Sequence, residues 1–124
     1  MLRRSIIALL LTSWFIPGVA HEETERYIPI GQSPGISGKY SYLGPIRSID
    51  RAQQAVIVED ASGQRAVKVT PRTRIYLDRS ENGLTNLTGS FEDCRIGYTV
   101  EIKYVDARTK DEADWIKVRV TEKP

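Results

Sequence analysis

From Tyr40 onward the chain alternates apolar and polar residues in short runs bounded by turn formers, the period-2 signature of half-buried β-strands. Two runs are clearest. In Gly97 to Val105, Val100, Ile102 and Tyr104 alternate with Glu101 and Lys103; in Trp115 to Glu122, Ile116, Val118 and Val120 alternate with Lys117, Arg119 and Thr121. The connection Asp106 to Asp114 is nearly all polar and joins them as a hairpin. Upstream, Tyr42 to Asp50 forms a strand with Gly44, Ile46 and Ile49 toward the core, and the uneven step between the last two predicts a bulge. Ala55 to Glu59 carries Val56 and Val58 on one face. It turns at Asp60-Ala61-Ser62-Gly63, with Gly63 left-handed, into Arg65 to Thr70 with Val67 and Val69 inward. Pro71 closes that ladder, and Thr73 to Asp78 gives a strand with Ile75 and Leu77 inward. Arg79 to Ser90 reads as a polar loop, and a single helical turn falls around Phe91 to Cys94. No apolar stripe of helical period is long enough to make a core helix.

Five or six short antiparallel strands cannot bury both faces as one flat sheet, and their unpaired edges invite aggregation. Closure into a small barrel solves both problems, so the expected fold is all-β, a five- to six-stranded antiparallel barrel over residues 40–124. An open two-layer sandwich is the alternative.

Residues 21–39 break the pattern. His21 to Arg26 is polar and acidic with no apolar partner positions, which predicts a mobile arm. Tyr27 to Gly38 contains Pro29, Pro34, Gly31, Gly35 and Gly38, which forbid a helix and exclude a central strand, yet Tyr27, Ile28, Ile30 and Ile36 are too apolar to be left in water. The segment therefore lies against the protein's own barrel end or, extended, in a groove on another protein. Tyr27, Ile28, Pro29, Ile30 and Pro34, with Tyr40 and Tyr42 at the start of the barrel, are the candidate partner-binding residues.

The first twenty residues are of another kind. Arg3 and Arg4 precede an apolar run from Ser5 to Phe15 that is too short for a mature membrane anchor, and Gly18-Val19-Ala20 presents the small residues that signal peptidase requires. Residues 1–20 are read as a signal peptide, giving a periplasmic or extracellular protein that begins at His21, with no later segment apolar enough to span a membrane. Cleavage also changes the charge. The chain has 18 Lys and Arg against 16 Asp and Glu, and the loss of Arg3 and Arg4 makes the two signs equal. A neutral, exported protein with interspersed charges lacks the basic face of a nucleic-acid binder.

Candidate chemistry is sparse. Cys94 is the only cysteine, so no intramolecular disulfide forms, and its place before an apolar strand points to burial. His21, as a new N-terminus, could chelate copper through its imidazole and α-amino group, but copper sites of that kind use a second histidine and the chain has one. Asp78 to Gly83 resembles the start of a calcium loop whose closing acidic position is occupied by Gly89. Glu92-Asp93 and Asp111-Glu112 are consecutive pairs that seldom converge on one atom. No nucleophile, base and acid can be assembled without placing His21 on its arm in that role, so no enzymatic activity and no cofactor are expected.

The order of elements from Gly44 to Val120 resembles a widespread family of small bacterial exported domains with an OB-like barrel and no established activity. The residues that carry the likeness are Gly44 to Asp50, Val56 to Asp60 with Gly63, Val67 to Thr70, Thr73 to Ile75, Gly97 to Ile102 and Ala113 to Val118. These are strand and turn signals, which recommend a fold more strongly than a function. The expectation is a non-enzymatic exported module that works by protein–protein contact through its N-terminal arm, such as an accessory subunit of an envelope or extracellular assembly. A module binding a saccharide or a metal ion is the alternative. N-terminal sequencing of the mature protein should return His21 as the first residue; an uncleaved chain or a start inside the apolar run would refute the leader.

Overall fold

The computed structural model describes residues 24–34 and 40–121, so the leader, His21 and residues 35–39 lie outside the described residues. The alternating runs become eight strands: β1 (Ser41–Pro45), β2 (Ser48–Asp50), β3 (Ala55–Asp60), β4 (Gly63–Lys68), β5 (Arg74–Asp78), β6 (Leu87–Thr88), β7 (Thr99–Tyr104) and β8 (Ala113–Arg119). They form a five-stranded sheet in the order β1-β7-β8-β5-β6 and a three-stranded sheet in the order β2-β3-β4.

Three features depart from the sequence reading. The strand expected from Tyr42 to Asp50 is split at Ile46 and Arg47. There the Ile46 N–H donates to the Tyr98 carbonyl at 2.9 Å and the Arg47 N–H to the Ile57 carbonyl at 2.8 Å, so one continuous segment feeds both sheets. The order is mixed rather than antiparallel: β5 and β8 run parallel, from Arg74 opposite Trp115 to Asp78 opposite Arg119. Hydrophobic period reports which face is buried and carries no information about strand direction. Finally, the hydrogen bonding is not closed into a single barrel among the described residues. One sheet ends at β1 and β6 and the other at β2 and β4, and an isolated parallel bridge from Lys68 to Glu112 spans the seam. The region read as a loop also contributes β6, too short to show a period.

The inward positions are those the alternation indicates. Val56, Val58, Val67, Val100, Ile102, Ile116 and Val118 are fully buried between the sheets, with Ile46, Ile75, Tyr104 and Ala113 around them. Each such side chain stabilises the fold by about 1.5–3 kcal/mol on leaving water. Tyr42 joins this core, its hydroxyl donating to the Pro45 carbonyl at 2.7 Å. Its ring lies along the strand over Gly44, where a Cβ would stand 2.6 Å from the Tyr42 hydroxyl oxygen. The predicted turn is a 3-10 turn at Phe91–Asp93, capped reciprocally by Ser90 and Asp93, which seats Phe91 in the core and delivers Cys94 behind it. No helix among the described residues is long and apolar enough to cross a membrane.

Val100 sits at the centre of this core. Val100→Asp should abolish cooperative folding, because an unpaired buried carboxylate costs several kcal/mol against a total stability of about 5–15 kcal/mol. A thermal melt like that of the parent would show that the faces of β7 are assigned the wrong way round.

Candidate functional site

The register aligns one row of side chains across the outer face of the five-stranded sheet. Leu43 lies opposite Glu101, Glu101 opposite Lys117, Lys117 opposite Tyr76, and Tyr76 opposite Thr88. Trp115 and Asp78 share that face at neighbouring positions of β8 and β5. An outer face rich in charge normally meets water. Here Glu101, Lys117, Tyr76, Trp115 and Asp78 are all buried, and the arm bonds directly to three of them.

The arm is shaped by its own sequence. A helical turn occupies residues 24–27, and Pro29 ends it, since proline has no N–H to continue a helix and biases the preceding residue toward extended backbone. The Ile28 carbonyl is thus available to an outside donor. A second turn follows, closed by the Gln32 N–H on the Pro29 carbonyl, with Gly31 at φ +84°. Residues 24–34 thus carry two turns where composition leads one to expect an extended segment. They lie on the outer face of their own five-stranded sheet, a placement other than the barrel end or the partner groove expected for the segment.

Lys117 is the centre of the contact. It is 1% exposed, and its Nζ donates to Glu25 Oε1 at 2.9 Å, to Ser33 Oγ at 2.8 Å and to the Ile28 carbonyl at 3.0 Å, while standing 4.5 Å from the Trp115 ring centroid. An ammonium has three donors, and all three are used. Ser33 Oγ in turn donates to Glu25 Oε1 at 2.8 Å. Ser33 Oγ thus accepts from Lys117 and donates to Glu25, which ties the hydroxyl into the clasp.

Further clasps flank this one. Asp78 Oδ2 accepts the Ile30 N–H at 2.8 Å, and its Oδ1 accepts the Ser80 N–H at 2.9 Å and hydroxyl at 2.6 Å. Burial pushes the Asp78 carboxyl up, but these bonds and the nearby Arg119 guanidinium more than offset it and hold it below its ordinary value. Glu101 Oε1 accepts the Gly31 N–H at 2.9 Å, and Asn86 Nδ2 donates to the Arg26 carbonyl at 3.0 Å. Arg26 also reaches the hydroxyls of Thr88 and Tyr27.

The residues singled out in the sequence are dispersed by this arrangement. Ile30 is buried, Ile28 and Pro29 are half-buried, and Tyr27, Pro34 and Tyr40 are exposed, whereas Tyr42 belongs to the core on the opposite side of the sheet. Asp78 turns its oxygens to the arm and to Ser80, and among the described residues no three His, Cys, Asp or Glu side chains converge as a metal cage. Asp93 caps its own turn, and Glu112 accepts the Thr70 hydroxyl at 3.0 Å. Cys94 is buried, and burial pushes its thiol up to about 12, with Asp93 and Glu92 adding to the effect, so it stays protonated and inert at neutral pH. Sequence reasoning missed Glu25, Ser33, Asp78, Asn86, Glu101 and Lys117 as one group, because spacing along the chain gives no sign that the arm returns to β5, β7 and β8.

Two measurements follow. Deleting residues 21–34 exposes Trp115 and Tyr76 and leaves Lys117, Glu101 and Asp78 without the arm, so the melting temperature should fall by several degrees, as expected for about 1–3 kcal/mol in a domain of this size. An unchanged melting temperature would mean that the arm contributes nothing to the fold. Because the Asp78 carboxyl is depressed in the folded state, its contribution is present above its unfolded value and is lost as pH falls through the folded one. Protease sensitivity of the arm should thus stay flat from neutrality to mild acidity and rise only below about pH 4; a rise near pH 6 would exclude Asp78 as the titrating clasp. No family model, curated protein or solved structure matches this chain.

Proposed function

We propose that this is an exported, non-enzymatic β module that acts through protein–protein contact, with residues 1–20 removed on export. Its two sheets are best read as halves of an OB-like barrel. The β1-to-β2 segment serves both sheets at one corner, and the Lys68 to Glu112 bridge joins β4 to β8 at the other, just before Pro71 interrupts the ladder. The contact surface is the rim of the clasped arm. The observation that carries this reading is a division of labour: the polar groups under the arm are paired with one another, while Tyr27 at 51% and Leu43 at 55% stay exposed beside it. Large apolar side chains left on a rigid polar rim are the usual anchors of a protein interface.

A second reading, a module for a saccharide, is favoured by the open cleft of about 440 Å³ lined by Arg72, Arg74, Glu112 and Asp114. Purification of the mature protein from its native source under non-denaturing conditions separates the two. The interface reading expects a stoichiometric protein partner, and Tyr27→Ser with Leu43→Ser should weaken that complex by more than about fivefold with the melting temperature unchanged. A protein that arrives alone and binds oligosaccharide through the cleft would overturn it.

A further inference from the structure

We propose that the arm, residues 24–34, docks on the outer sheet face of a second copy of this chain as well as on its own, so that two copies exchange arms. This goes beyond the partner of the rim; both would use Leu43, so the charge-reversal mixture below, which leaves Leu43 intact, tests the exchange separately.

The contact has the character of a separable interface. Its centre is polar: Lys117, Glu101, Asp78 and Asn86 meet Glu25, Ser33 and the backbone of Arg26, Ile28, Ile30 and Gly31. Surfaces buried permanently are mostly apolar, whereas polar, fully paired ones can return to water when they part. The receiving face is also complete without the arm. Its row from Leu43 to Thr88 is set by the ladders among β1, β7, β8, β5 and β6, and none of these registers includes an arm residue. Any second copy presents the same Glu25 carboxylate, the same Ser33 hydroxyl and the same Ile30 and Gly31 N–H groups. The contacts are thus identical in cis and in trans, and concentration decides between them together with whatever the junction adds.

The junction has something to add. The arm reaches β1 at Gly31, beside the Leu43 side chain, and β1 is a terminal strand of its sheet. Leu43 is 55% exposed there and Tyr40, at the start of β1, is 44% exposed. Six peptide units from Pro34 to Tyr40 span at most about 20 Å, so two bodies that exchange arms are held with these ends close enough for Leu43 and Tyr40 to enter a contact between them.

The test uses charge reversal in the mature protein, residues 21–124. Glu25→Lys and Lys117→Glu each put like charges into the central clasp, so each alone should be a monomer with a loosened, protease-sensitive arm. Mixed in equal amounts, the two variants should form a 1:1 dimer, identified by light scattering and native mass spectrometry, more than about tenfold tighter than either variant with itself. Adding Leu43→Ser to both chains should weaken that dimer about tenfold without moving the melting temperature of the monomers. A mixture of two folded variants that remains monomeric overturns the exchange, as does a dimer equally strong in each variant alone. If Lys117→Glu does not fold, Lys117→Met takes its place: its Glu25 can still reach Lys117 of the Glu25→Lys chain, so a 1:1 dimer held by that one clasp is expected, weaker than with two clasps yet tighter than either variant with itself, and its absence overturns the exchange.

Discussion

The position of the arm follows from the ammonium of Lys117. A buried cation is tolerated only where acceptors replace the water it has lost, and all three acceptors here come from residues 25–33. They are delivered by three different local devices: a side chain from the helical turn, a carbonyl left without a helical partner by Pro29, and a hydroxyl after the second turn. A tetrahedral donor that must meet all three at once fixes the arm in one place. Asp78 and Glu101 then take the N–H groups of Ile30 and Gly31, two donors that the turn around Gly31 directs to the sheet.

This places an unusual demand on β8. Ile116 and Val118 face the core and are fully buried, and Trp115 and Lys117 on the other side are buried too, so the strand is covered on both faces. Its two neighbours are one antiparallel and one parallel strand, β7 and β5. The parallel neighbour contributes Tyr76 and Asp78 to the covered face, and the antiparallel one contributes Glu101. The clasp therefore exists only in this strand order, because exchanging β5 for β6 would remove Asp78, which accepts the Ile30 N–H, and Tyr76 beside it.

The sequence disclosed the inside of the domain far better than the outside. Val56, Val58, Val67, Val100, Ile102, Ile116 and Val118 are legible as inward because burial against a core leaves a period-2 trace, and the Asp60 to Gly63 turn and the turn after Ser90 are legible because their residues carry caps and permissive backbone. The outer face leaves no such trace. Lys117 and Glu101 look the same in sequence whether they meet water or an arm, and only the apolar excess of Tyr27 to Ile30 signalled that the segment had to rest on something. The choice between a self-contact and a partner turns on the pairing of Glu25 with a lysine 92 positions away, which no local pattern encodes.

The choice of a lysine at the centre of this contact asks for an explanation other than stability. A buried ion pair gains little over well-packed apolar residues of similar size, because the cost of desolvating two charges offsets most of their attraction. An apolar side chain at position 117 could hold the arm, but it would hold it in several registers, since apolar contact has no direction. A cation with three fixed acceptors admits one register. It also leaves charged groups at the centre of each surface that water can solvate when the two part, beside the aromatic rings of Trp115 and Tyr76. We read the polar clasp as the device that makes the arm's placement specific, a property that a contact built only for stability would lack.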